Sequence, residues 1–189
     1  MTRIIAGLVG GQRLAVPTSG TRPTAQRVRE ALFSLLEHRL DLTDCHVLDL
    51  FAGSGALGLE AASRGASAVV LVESARPAAR VAASNARNLG LPARVVVGRA
   101  EAVVNWLLPE APFDLVLIDP PYALPPSALD GLLGRLASSG KLADAAWLAV
   151  ERSNGAPAPQ WPVGWQVERS RVWGDTAVHL AQATSRLGE

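Results

Sequence analysis

The stretch His46-Val47-Leu48-Asp49-Leu50-Phe51-Ala52-Gly53-Ser54-Gly55-Ala56-Leu57-Gly58 reads as a buried strand ending in an acid, a glycine loop, and the start of an alanine-rich helix over about 57 to 64. The same alternation continues outward. Strands are predicted at Ala68 to Glu73, Arg94 to Val97, Asp114 to Asp119 and Trp147 to Glu151, separated by helices near 76 to 89, 101 to 107 and 127 to 138. Strands so regularly flanked by helices form a parallel sheet covered on both faces, and an uninterrupted apolar run such as Leu115-Val116-Leu117-Ile118 suits that double burial. The rhythm breaks after Pro162. Trp165 to Trp173, Gly174-Asp175 and Thr176 to Ala181 have no helix between them and predict an antiparallel hairpin.

Upstream of the alternating region lies a different kind of segment. Residues 3 to 16 read as a hairpin turning near Gly10-Gly11, and residues 18 to 23 as a loop. A helix follows, capped by Thr24 and carrying apolar residues at 28, 31, 32, 35 and 36. Residues 1–42 are therefore expected to form a hairpin-and-helix extension on a domain spanning 43–189. At 189 residues, with 49% hydrophobic and 19% charged side chains, the chain suits one compact enzyme and excludes a disordered protein.

No apolar run approaches the roughly 18 residues of a membrane span, so the expected location is the cytoplasm and no membrane partner is expected. Cys45 is the sole cysteine, and His38, His46 and His179 lack metal-ligand spacing, so neither a disulfide nor a metal site is expected. Net charge is only +1, but the first 29 residues hold Arg3, Arg13, Arg22, Arg27 and Arg29 and no acid. From charge alone this is either a solvated basic face or a nucleic-acid contact.

Open parallel sheets bind ligands beyond the carboxyl ends of their strands, where strand order reverses. Asp49, Phe51, Ala52, Gly53, Ser54 and Gly55 fall at such a place; the glycines allow close backbone approach, and the helix N-terminus offers amides. Gly53 to Gly58 also fits the dinucleotide pattern G-x-G-x-x-G, so the loop alone does not choose a ligand. Asp49 shifts the choice towards S-adenosylmethionine, because a carboxylate there would attract a cationic methionine moiety and repel a pyrophosphate. Glu73 is placed to accept the hydroxyl hydrogens of a ribose, which either ligand would offer. Gly98-Arg99-Ala100-Glu101 should lie near the adenine, with main-chain contacts from Arg99 or Ala100; Glu101 is expected to cap the next helix.

Asp119-Pro120-Pro121-Tyr122 is the most specific signal in the chain. Two prolines after a buried strand remove two amide donors and leave carbonyls as acceptors. An exocyclic base amine is a poor nucleophile because its lone pair is delocalised into the ring. Acceptors at the Asp119 carboxylate and Pro120 carbonyl would hold its two hydrogens and stabilise positive charge on nitrogen, while Tyr122 would stack on the base. Asp119 is also expected to border the cofactor. The tetrapeptide selects an amine and leaves open which base carries it.

With these motifs in place, the chain resembles the RsmD-type 16S rRNA guanine-N2 methyltransferases over nearly its full length. The resemblance rests on Arg3 to Gly7, Arg22 to Phe33, Asp49 to Ala61 and Asp119 to Tyr122. The second segment discriminates, since the other motifs also occur in DNA adenine and cytosine methyltransferases. It implies a class I methyltransferase sheet of the Rossmann-like α/β kind, S-adenosyl-L-methionine as cofactor, and a monomer acting on 16S rRNA in the assembling 30S subunit. It also turns Arg3, Arg13, Arg22, Arg27 and Arg29 into expected phosphate contacts, although Arg29 with Glu30 could instead dock the helix on the sheet. A DNA amine methyltransferase, a non-catalytic assembly module and a nicotinamide oxidoreductase are the rival readings. The first lacks a recognisable target-recognition domain, and the intact tetrapeptide weighs against the second.

Overall fold

The computed structural model describes residues 2–17, 26–106 and 108–184. Its main sheet contains β3 (His46–Asp49), β4 (Ala68–Glu73), β5 (Ala93–Val97), β6 (Phe113–Ile118), β7 (Leu142–Ser153), β8 (Gln166–Val167), β9 (Arg171–Trp173) and β10 (Thr176–Gln182). The order is β5-β4-β3-β6-β7-β10-β8, with β9 also paired to β10. Strands β3 to β7 run parallel, whereas β10 is antiparallel to β7, so the sheet is parallel until the closing hairpin.

The continuous apolar strands are explained by a two-sided core. Val47, Val69, Leu71, Leu115 and Leu117 face one cluster; Leu48, Val70, Val72, Val116 and Ile118 face the other. Helices α1 (Gln26–Glu37), α2 (Ala56–Ser63) and α3 (Arg76–Leu89) cover the first face. Helices α4 (Ala100–Val103) and α5 (Pro126–Ser138) cover the second. Gly58 brings α2 onto the sheet: a Cβ there would stand 2.3 Å from Leu71 Cδ2 and 3.0 Å from Val69 Cγ1.

Three elements differ from the sequence reading. β7 begins at Leu142 rather than near Trp147, because Asp144 and Ala145 are exposed and the apolar signal starts only at Ala146. The penultimate strand is split into β8 and β9, with Glu168 between them engaged by Arg39 at 2.6 and 2.5 Å. The predicted N-terminal hairpin shrinks to two pairs joining β1 (Thr2–Arg3) and β2 (Arg13–Leu14). Thr24 and the loop at residues 18 to 23 lie outside the described residues.

What holds the N-terminal segment is α2. Glu60 accepts the Ile5 amide at 2.7 Å and the Ala6 amide at 3.1 Å; Ser63 Oγ accepts the Val9 amide at 3.1 Å and donates to the Ala6 carbonyl at 2.6 Å. Gly7 is required for this approach, since it has φ +83° and an added Cβ would lie 1.9 Å from the Ser63 carbonyl oxygen. Ile4 and Leu14 are buried in the same cluster as α1 and α2, so residues 2–14 share the core of the sheet.

Candidate active site

Strands β3 and β6 are neighbours, with Asp49 opposite Leu117, so the glycine loop and the Asp119 tetrapeptide emerge side by side at the sheet's switch point. Both line one cleft of about 1540 Å³. Phe51, Ala52, Gly53, Ser54, Glu73, Arg99 and Ala100 line it together with Asp119, Pro120, Pro121 and Tyr122. Gly55 does not line it: at φ +86° it turns the chain into α2 and donates to the Ala52 carbonyl at 2.7 Å.

Asp49, expected to meet a cationic ligand, sits one layer below the cleft. It is fully buried and absent from the cleft wall, and its Oδ2 accepts the Gly58 amide at 3.0 Å. Its task is to fix the loop against α2 from beneath. Burial pushes its pKa up to about 7, against the lowering pull of the Gly58 amide, and the nearby Asp119 and Glu73 add to the rise. The folded state thus retains a proton that the unfolded chain releases above about pH 3.8. Asp49 therefore contributes a loss of stability as pH rises from about 4 to 7. Unfolding free energies between pH 5 and 8 should fall less steeply in Asp49→Asn than in the parent chain; parallel curves would refute this.

Glu73 ends β4 with both carboxylate oxygens anchored, Oε2 by the Gly53 amide at 2.9 Å and Oε1 by the Ala75 amide at 2.7 Å. Oε1 also receives a long 3.5 Å contact from the Ser74 hydroxyl, whereas Oε2 keeps a second acceptor direction that suits a hydroxyl hydrogen. The Arg99 side chain is 79% exposed and lies 3.5 Å from Glu101, while Ala100 beside it is buried. Tyr122 is 56% exposed on the cleft and offers an accessible ring.

The N-terminal arginines separate into different environments. Arg27 lines the cleft; Arg3 and Arg13 are exposed on β1 and β2; Arg22 lies outside the described residues. Arg29 is a correction. Its side chain is wholly buried, 3.8 Å from Glu60, and donates to the Arg3 carbonyl. Burial lowers its pKa from the ordinary arginine value, against the opposing pull of Glu60 and Glu151. It is a buried cation with no surface to offer a phosphate, and its acid is Glu60 rather than the exposed Glu30.

Several residues of the site carry no motif. Asn85 of α3 is buried; its Nδ2 donates to the carbonyls of Ser54 and Ala15 at 2.9 Å each, and its Oδ1 accepts the Ala15 amide at 3.0 Å. One side chain thus ties the glycine loop to the N-terminal segment, whose Val16 and Pro17 line the cleft. The only signal was an amide on the otherwise alanine-lined stripe of Ala78, Ala82 and Ala86. Glu151, Arg152 and the Trp173–Thr176 turn also reach the cleft, and Arg152 donates to the Leu124 carbonyl at 3.2 Å. Asn85→Leu should weaken binding of S-adenosylhomocysteine about tenfold, since buried backbone groups would lose their partners. Titration calorimetry showing unchanged affinity would refute that role.

The family model described as "Conserved hypothetical protein 95" matches residues 2–182. Ribosomal RNA small subunit methyltransferase D of Escherichia coli is 39% identical over 183 residues, covering 95% of this chain and 89% of that protein. The chain belongs to the RsmD family. The Haemophilus influenzae member of that name is 32% identical over 184 residues, covering 95% of this chain and 93% of its own. The solved structure of yhhF from Escherichia coli superposes with a TM-score of 0.84 at 36% identity, covering 97% of this chain and 98% of that one. An RNA methyltransferase from Salinibacter ruber, solved with S-adenosyl-L-homocysteine, gives a TM-score of 0.64 at 18% identity over 89% and 97% of the two chains, a likeness of fold. The chain has the class I methyltransferase architecture, with its sheet order and closing hairpin.

Proposed function

We propose that this protein transfers the methyl group of S-adenosyl-L-methionine to the N2 amine of a guanine in 16S rRNA, during assembly of the 30S subunit. The observation that carries the reading is the pairing of β3 with β6, which puts the glycine loop and the Asp119–Tyr122 tetrapeptide on one cleft. The relatives' shared name, ribosomal RNA small subunit methyltransferase D, supports rRNA as the class of substrate.

The cleft residues fit the cofactor by their chemistry. Phe51 to Ser54 supply a close-packed lining, Glu73 accepts a ribose hydroxyl, and Ala100 with the Arg99 backbone flanks the adenine. Asp49 acts from below by holding the loop. When bound, the sulfonium group supplies an already activated methyl donor. The work left to the protein is alignment. The Asp119 carboxylate and Pro120 carbonyl accept the two amine hydrogens, so the nitrogen lone pair points along the transfer axis, and Asp119 stabilises charge growing on nitrogen. Pro121 keeps the backbone rigid, and Tyr122 stacks on the base. Arg3, Arg13 and Arg27 contact phosphate from the extension of residues 1–42, leaving residues 43–189 as the catalytic domain.

The test is mass-spectrometric mapping of methylated bases in 16S rRNA from cells with and without the gene, followed by incubation of the unmodified 30S particles with purified protein and radiolabelled cofactor. Appearance of N2-methylguanine at a single position supports the reading. Label entering duplex DNA in preference to rRNA would overturn it.

A further inference from the structure

The charges of this chain are sorted by region far more strongly than a net charge of +1 suggests. Residues 1–29 and 74–100 together contain ten of the eighteen basic residues and none of the seventeen acids. The second stretch comprises α3 and β5, at the edge of the sheet. Its arginines are Arg76, Arg80, Arg87, Arg94 and Arg99.

Two of these are engaged locally, Arg94 with Glu110 at 2.5 Å and Arg99 with Glu101 at 3.5 Å. The other three are exposed on α3 and enter no ion pair among the described residues. Steps of four and seven residues place them within a stripe about 40° wide and about 16 Å long. The helix has no acid in any turn, and its Arg76 and Arg80 stand at the like-charge spacing that weakens a solvated helix. A face that serves only solubility mixes its signs.

The stripe also has the right neighbours. α3 starts at the cleft, where Ala75, Pro77 and Val81 form part of the wall, and Asn85 bonds it to Ala15, two residues from Arg13. The two acid-free stretches therefore adjoin.

We propose that the exposed face of α3 is a second RNA-contact surface, in which Arg76, Arg80 and Arg87 take the phosphodiester backbone of the substrate RNA away from the methylated base. This rests on the reading of the protein as an rRNA methyltransferase. The anionic occupant is RNA because backbone contacts of this kind are sequence-independent, additive and suited to a single-sign stripe.

The experiment compares the parent chain with the triple variant Arg76→Gln, Arg80→Gln, Arg87→Gln and with a control, Arg169→Gln, Arg171→Gln, whose exposed arginines lie outside both stretches. Methylation kinetics are measured on unmethylated 30S particles and on 16S rRNA transcript across a salt series, with S-adenosylhomocysteine binding and thermal unfolding alongside. The triple variant should raise KM about tenfold on both substrates and flatten the logarithmic salt dependence by about 2. Its kcat, its S-adenosylhomocysteine affinity and its Tm should stay near those of the parent.

Unchanged KM and salt slope would overturn the proposal, as would an equal loss in the control. A loss confined to 30S particles would assign the face to a ribosomal protein and also overturn it. If the parent itself methylates neither substrate, the rRNA reading falls with it; if the parent is active and the triple variant is indistinguishable, only the α3 surface falls.

Discussion

Asp119→Ala is expected to lower kcat for methyl transfer by about 10²- to 10³-fold, the usual effect of deleting one preorganised group that faces developing charge. The proposed mechanism asks two things of this side chain. It must hold an amine hydrogen so that the lone pair faces the methyl carbon, and it must offset positive charge on nitrogen as the bond forms. Alanine does neither, and the Pro120 carbonyl alone leaves the amine free to rotate. Asp119 lines the cleft just beyond β6 and is not part of either hydrophobic cluster, so the variant should fold normally. S-adenosylhomocysteine should still bind within a few-fold of the parent, because the glycine loop, Glu73 and Asn85 remain in place. Single-turnover kinetics on 30S particles checks the loss. Wild-type turnover in Asp119→Ala would remove Asp119 from the mechanism.

The second large effect is on stability. Glu60→Ala should reduce the unfolding free energy by about 3–5 kcal/mol, because it strips a wholly buried arginine of its acid. Glu60 accepts the Ile5 and Ala6 amides and the Arg64 guanidinium at 2.8 Å, and Arg29 lies 3.8 Å away with no solvent exposure. Losing the carboxylate orphans two backbone amides and leaves the charge of Arg29 facing that of Arg64. For a chain of this length the change corresponds to a fall in Tm of roughly 10 °C. The double variant Arg29→Met, Glu60→Leu should recover part of the loss, since the guanidinium of Arg29 is then no longer buried without its acid. Chemical denaturation of the three proteins tests both statements. A single variant within 1 kcal/mol of the parent would show that the cluster does not hold the segment.

These two residues illustrate what was legible in the chain. Asp119 was legible as a candidate because it belongs to a contiguous tetrapeptide, and the alternation of strand and helix fixed its neighbour across the sheet. Glu60 and Asn85 were invisible to motif reading. Their partners are backbone atoms 55 and 70 residues away, and a backbone amide has no residue identity to recognise. Arg29 stayed open between a phosphate contact and a structural pair, and its acid was misassigned, because composition counts charges without showing which are buried and that acid sits on another helix. Asp49 was correctly placed at the switch point, but sequence could not show that the turn to Gly58 folds back over it. Arg76, Arg80 and Arg87 were plain in the sequence and passed over, since they acquire meaning only once α3 is known to adjoin the N-terminal segment.

The same long separations set an order of events during synthesis. The anchors of residues 5–15 on Glu60, Ser63 and Asn85 form only after α2 and α3 have been made, so these contacts wait while the chain behind them is synthesised. The last strand, β10, lies inside the sheet between β7 and β8 rather than at its edge. The segment of residues 2–15 and strand β10 are therefore both completed by partners elsewhere in the chain, the one by α2 and α3 and the other by β7, and removing either takes away something the fold depends on.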